Sequence, residues 1–318
     1  MYKISKENLP KLYAALNEQG KLLLPCRNKA GKVDFAPYAA EAEVALEAPL
    51  TSRSAKDVFF PQVEQLLKFQ VEGKKLSLEQ ILPSEETVIV LGVRACDARS
   101  FDILDRVFLK EPVDSYYKAR REHTVLIGLG CSAPEETCFC HAFGIDATKP
   151  ETDVQTWLVD GDLFWQAVTA KGEELTSKLG ALLEEASDSK LVEEQAVMTQ
   201  KILSVLPLHD FKFNDKLPAK ELAVFNSKVW EKLAPSCLSC CTCTYVCPTC
   251  HCYDIRDYEV AEGKTERFRQ RYMHKLVYYP ENNEGIYSCV GCGRCLQKCP
   301  VNLNIVKVAK ALEVSDDV

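Results

Sequence analysis

An N-terminal α/β domain built on a parallel βαβ unit, a helical connecting segment and a small cysteine-dense α+β domain make up the fold class that this sequence predicts. Three observations predict it. Between residues 87 and 129 an apolar β-branched run, a helix-spaced stretch and a second apolar run follow one another. From about Asp160 to Pro235 apolar residues recur at helical spacing with no cysteine among them. Beyond Pro235, two cysteine groups of the same spacing crowd the remaining chain. The expected parts are residues 1–155, 156–235 and 236–318, in keeping with a prior of ~150 residues per domain for 318 residues.

Taken in order, a helix is expected from Lys6 to Asn17, ended by Gly20, and then a strand around Leu22 to Leu24. Thr87 to Val93 (TVIVLGV) and Thr124 to Leu129 (TVLIGL) read as buried parallel strands. Ala98 to Leu109 carries Phe101, Leu104, Val107 and Phe108 on one side, the pattern of a crossover helix. Helices are expected near Leu163–Ala170, Glu173–Glu185, Leu191–Leu206 and Ala219–Leu233, forming a layer against the sheet. Pro235 and Ser236 mark the boundary, and a helix near Leu303 to Leu312 closes the chain.

Composition bounds the function. Hydrophobic and charged fractions of 47% and 27% suit a globular core. A net charge of -7 lacks the basic face that a nucleic-acid backbone requires, so no nucleic-acid partner is expected. No window reaches the ~20 apolar residues of a membrane span, and the first residues lack an export signal. No direct membrane insertion is expected, and a cytoplasmic location is. There, 16 cysteines cannot be a disulfide framework, and metal ligation explains them better.

Cys237-x2-Cys240-x2-Cys243-x3-Cys247-Pro248 and Cys289-x2-Cys292-x2-Cys295-x3-Cys299-Pro300 each have the spacing that wraps a cubane cluster, three thiolates going to one cluster and the fourth to the other. Two [4Fe–4S] clusters in a bacterial-ferredoxin-like domain follow. Cys237, Cys240, Cys243 and Cys299 hold the first, and Cys289, Cys292, Cys295 and Cys247 the second. Paired zinc sites are the alternative, although zinc has no need of the third cysteine, the x3-Cys and the proline in both copies. Such sites have no open position for substrate, so the domain reads as an electron wire rather than a catalytic centre. Arg294 and Lys298 either raise a cluster's potential or form a solvated docking face.

A further group comprises Cys96 in GVRACDAR with Cys131, Cys138 and Cys140 in GLGCSAPEETCFC. Cys96 and Cys131 follow the two parallel strands, and so stand at the carboxyl edge where open α/β sheets build ligand sites. Four thiols there suit a third iron–sulfur cluster, with [4Fe–4S] as the expected type. Buried structural or zinc-binding cysteines are the alternative. Asp97 and His141 are adjacent donors that could replace one thiolate. Cys250 and Cys252 are expected to line the second cluster or its packing shell, and Cys26 and Cys241 to be structural.

With GVRACDARSFDILD, DSYYKARREHTVLIG, CFC, CPTCHCYD and CVGCGRCLQKCP in view, the chain resembles the iron–sulfur β subunits of sulfhydrogenases and the A subunits of anaerobic sulfite reductases, from Phe59-Phe60-Pro61 to the last helix. Related dicluster subunits serve flavin oxidoreductases and heterodisulfide-reductase-like complexes. The resemblance implies an electron-relay subunit between a flavin- or NAD(P)-binding oxidoreductase subunit and a terminal catalytic subunit. The four N-terminal cysteines match the family's pattern. The segment between Cys252 and Cys289, containing RFRQRYMHK, is shorter than in the hydrogenase and sulfite reductase versions, which points toward the flavin or heterodisulfide type of assembly.

Two other functions are compatible with the residues. A self-contained oxidoreductase would bind a flavin or nicotinamide in the α/β domain, yet no GxGxxG or Walker loop follows a strand, and GVRACD and GLGCSAP occupy those strand ends. A free two-cluster ferredoxin with a fused interaction domain would be stable alone.

Overall fold

A computed structural model describes residues 1–61, 63–251 and 263–315. Ten strands occur among them: β1 (Tyr2–Ile4), β2 (Lys21–Arg27), β3 (Val33–Pro37), β4 (Leu67–Glu72), β5 (Lys75–Gln80), β6 (Val88–Val93), β7 (Thr124–Leu129), β8 (Val154–Val159), β9 (Asp162–Ala167) and β10 (Glu184–Glu185). Eight form one mixed sheet in the order β10-β1-β9-β8-β7-β6-β2-β3. Its centre is parallel, with β2 beside β6, β6 beside β7 and β7 beside β8. The expected βαβ unit is therefore present: after α1 (Leu9–Gln19) near the N-terminus, the helix α2 (Ala95–Phe108) lies between β6 and β7.

Both faces of this centre are covered, which is why β6 reads as a continuous apolar run rather than an alternating one. Ile89, Leu91, Ile127 and Leu129 face one side, packed with Leu12 and Leu16 of the helix Leu9–Gln19. Val90, Val93 and Leu126 face the other, packed with Phe101, Leu104 and Phe108 of α2 and with Phe59 and Tyr117. The sheet edge at the ends of β6 and β7 is thereby fixed in place.

One expectation is corrected. The helix expected over Leu163–Ala170 is absent, and the sheet instead continues past residue 155 as the antiparallel hairpin β8–β9. Asp160 and Gly161 both take positive φ (53° and 94°) at its turn, and an Asp-Gly pair of this kind matches the twist of the strands that it joins. Helices follow at Ala170–Lys178 and Lys190–Leu203, and two short ones at Glu221–Asn226 and Val229–Leu233.

Past Pro235 the described residues hold helices and no strand: Thr242–Tyr245, Lys264–Met273, Tyr279–Asn282, Arg294–Lys298 and Ile305–Glu313. A π-helical turn, His274–Tyr278, continues the second of these and directs Lys275 inward. The core of this region also includes Trp230, Val224, Leu217 and Phe139, so the preceding helices and the CFC loop pack into it. The hairpin β4–β5 stands apart from the rest. Its register puts Phe69 opposite Leu78 and Val71 opposite Leu76, and all four are exposed. No helix among the described residues is long and apolar enough to cross a membrane.

Candidate metal centres

The structure gathers the C-terminal cysteines into the two groups expected. Cys237, Cys240, Cys243 and Cys299 line one cavity of about 300 Å³. Cys247, Cys289, Cys292 and Cys295 line a second, much smaller one of about 20 Å³. The fourth cysteine of each motif thus faces the other motif's cavity. Among the described residues no three His, Cys, Asp or Glu side chains converge on a point fit for a single ion. A cubane takes each thiolate at a different iron, and so calls for thiols ranged around a cavity.

The two loops have the same backbone course. Ser239 and Cys241 take φ values of 53° and 56° in the first, and Gly291 and Gly293 take 61° and 75° at the matching positions of the second. These left-handed turns point the thiols inward. In the second loop the residue must be glycine for another reason. A Cβ on Gly291 would stand 2.4 Å from the Phe139 carbonyl oxygen, and one on Gly293 2.5 Å from that of Thr137. The second loop is pressed onto the TCFC segment, whose Phe139 N–H donates to the Gly291 carbonyl at 2.9 Å.

The N-terminal four meet at this contact. Cys96 sits in the first turn of α2, and Cys131 follows β7 by two residues. Together with Cys138 and Cys140 they share one side-chain cluster with Cys292 and Val290. Burial, aided by neighbouring thiols, pushes the Cys138 and Cys140 thiols up to about 12. Burial also raises Cys131, and burial with the Asp97 charge raises Cys96 well above its usual value. Metal binding there would have to displace protons.

Around the second cavity the electrostatics differ. Lys56, only 8% exposed, donates through Nζ to the carbonyls of Cys247 (2.8 Å) and Cys250 (2.7 Å). Lys275, 4% exposed, donates to Thr249 Oγ1 (2.8 Å) and the Ser288 carbonyl (2.9 Å). Arg271 reaches Cys250 Sγ at 3.8 Å and the Cys243 carbonyl at 3.2 Å. Among the described residues none of the three has a carboxylate at ion-pair distance. Cys247 is held well below the ordinary thiol range by a hydrogen bond from Cys250, assisted by Lys275 and Arg271.

Buried cations with no carboxylate partner among the described residues are costly. An anionic thiolate-ligated cluster would supply that counter-charge. The orphaned polar atoms agree with this reading: of five buried side-chain atoms without a hydrogen-bond partner among the described residues, Thr137 Oγ1, both His141 ring nitrogens and Arg271 Nε lie beside the cysteines. The donor set therefore fits iron–sulfur clusters.

Residues 258–303 match the family model described as a 4Fe-4S dicluster domain. The chain carries a 4Fe–4S dicluster domain. It is also 29% identical to the β subunit of sulfhydrogenase 2 from Pyrococcus furiosus over 96% of both chains. The resemblance drawn from CPTCHCYD, CVGCGRCLQKCP and the N-terminal motifs thus holds along the whole length.

Several expectations around the dicluster domain need correction. Arg294 is not a solvated docking residue. It is fully buried in a bidentate pair with Asp97 at 2.6 and 2.8 Å. Asp97, 1% exposed, is occupied by that pair rather than presented as a ligand. Cys241 is exposed and lines the first cavity instead of packing in a core. Cys26 is a core residue as expected, and Cys252 lies outside the described residues. Lys56 gave no signal in the sequence, because its partners stand 191 and 194 residues away.

Proposed function

We propose that the chain is the iron–sulfur subunit of a multisubunit cytoplasmic oxidoreductase, relaying single electrons between a flavin- or NAD(P)-binding subunit and a terminal catalytic subunit. The observation that carries this reading is the set of cations around Cys247, the buried Lys56 and Lys275 and the half-buried Arg271, which have no carboxylate at ion-pair distance among the described residues. Cys237, Cys240, Cys243 and Cys299 would hold one [4Fe–4S] cluster, Cys289, Cys292, Cys295 and Cys247 a second in a bacterial-ferredoxin-like exchange, and Cys96, Cys131, Cys138 and Cys140 a third. Bound there, the clusters supply one-electron redox chemistry with no substrate position.

The protein's own residues do the rest. Buried cations favour the more negative, reduced state of whatever the thiols hold. Cys240, exposed beside Leu238 and Tyr245, places the first group at the surface where an electron can leave. The second group is enclosed, and the N-terminal group adjoins it through Cys292. The order third, second, first makes a directed path from the sheet edge to the surface. Full-length similarity to a subunit of a hydrogenase favours a catalytic partner of that type over the flavin or heterodisulfide type.

Iron and acid-labile sulfide per chain in anaerobically purified protein test the reading. About twelve of each is expected for three cubanes, and about eight would leave only the dicluster domain loaded. A chain holding zinc in place of iron would overturn it.

A further inference from the structure

We propose that the Asp97–Arg294 pair is a charge-neutral clamp that fixes the second and third cluster sites against each other and holds their potentials in balance. The third-cluster half of this role rests on the three-cluster reading above. Arg294 lies between Cys292 and Cys295 in the chain, and Asp97 directly follows Cys96. The pair therefore joins the two ligand groups through their immediate neighbours, across 197 residues of sequence.

Its geometry leaves little freedom. Both Asp97 oxygens accept from the guanidinium, at 2.6 and 2.8 Å. Arg294 Nε donates to the Thr51 carbonyl at 2.9 Å, and Nη2 also donates to the Thr51 hydroxyl at 3.0 Å. A planar guanidinium fixed by a bidentate carboxylate and a third residue cannot rotate or shift without breaking several bonds at once. Beside it, the close approach of Gly291 and Gly293 to the TCFC backbone leaves no room for slippage.

The electrostatic consequence has a sign. In a low-dielectric interior a single charge is felt across several ångströms, whereas two opposite charges in contact largely cancel beyond their own separation. With the pair intact, neither site is biased by it. Asp97→Asn would leave an uncompensated cation beside Cys292 and Cys96, favour the more negative reduced state and raise the potential. Arg294→Gln would leave a buried carboxylate and lower it. The double substitution restores neutrality.

Reductive titrations followed by electron paramagnetic resonance, with iron counted on the same full-length samples, test this. At unchanged iron content the second cluster's midpoint potential should rise in Asp97→Asn, fall in Arg294→Gln and return to the parent value in the double variant. Wild-type potentials in all three variants would overturn the proposal. If a single substitution loses iron, the double one decides: recovery of iron and potential together supports the clamp, and failure to recover refutes it. Wild-type iron near eight would remove the three-cluster reading alone, because a shift of the second cluster still shows the pair acting on it.

Discussion

The two cysteine loops of the C-terminal region share a spacing and a backbone, yet they are built into opposite surroundings. Leu238 in the first is 61% exposed, whereas Val290 at the matching position in the second is 1% exposed. Ser239 and Cys241 take left-handed φ with side chains that have room to stand, and Gly291 and Gly293 take it against a wall of backbone. Thr242 in the first loop corresponds to Arg294, buried and paired, in the second. The repeat specifies what a loop can hold, and the rest of the chain specifies what that loop is for. One faces outward, and the other is enclosed against the TCFC segment.

The largest effect expected from this contrast is at a ligand of the enclosed loop. Cys292→Ser should lower iron by about four per chain and stop electron transfer through the assembly. Since Cys292 packs in the same cluster as the N-terminal four, a disturbed third site should accompany it; full iron in this variant would sink the ligand assignment. Next comes the wall itself. Gly291→Ala combines a left-handed φ with a Cβ 2.4 Å from backbone, and should destabilise the protein by on the order of 3 kcal/mol, read as a fall in the melting midpoint. A midpoint equal to the parent's would mean that the two loops are equally open.

Charge separates the loops more gently. Lys275→Met removes a buried cation at similar volume, so the iron-loaded protein should show a lower potential for the second cluster and an unaltered first one. The iron-free protein should be as stable as the parent or more so, because a buried charge with no carboxylate at ion-pair distance among the described residues has been removed. Parallel shifts of both potentials would show that Lys275 acts on the pair without preference. The smallest effect belongs to the open loop. Cys241→Gly relieves a left-handed non-glycine residue, worth about 1 kcal/mol or less in favour of the folded state, and should leave iron unchanged. Lost iron would make Cys241 a ligand.

Legibility in the sequence followed the range of the interactions involved. Cys237 to Cys247 and Cys289 to Cys299 could be grouped from spacing alone, because a loop that wraps a cluster is a local object. The β6–α2–β7 unit was legible for the same reason: Thr87 to Val93 and Thr124 to Leu129 carry their burial in their own composition. The hairpin β8–β9 was missed because its aromatic runs, Trp157 to Val159 and Leu163 to Trp165, also satisfy helical spacing. The Asp160-Gly161 turn was the signal that separates the two readings. Lys56 and the partnership of Arg294 with Asp97 had no such local mark. They exist only because the sheet edge brings distant segments to the same cysteines.

The bond from Phe139 N–H to the Gly291 carbonyl bears on how the protein is made. Synthesis releases the sheet and the TCFC segment well before the Cys289–Cys299 loop appears, and domains fold as they emerge. The sheet edge is thus made first, and the TCFC segment, whose Phe139 belongs to the later core, settles together with that loop. Its final shape is a late long-range closure of the chain, a slow kind of step because distant segments must meet. Biogenesis of the enclosed site therefore waits on the N-terminal half, while the outward-facing loop has no such wall to wait for.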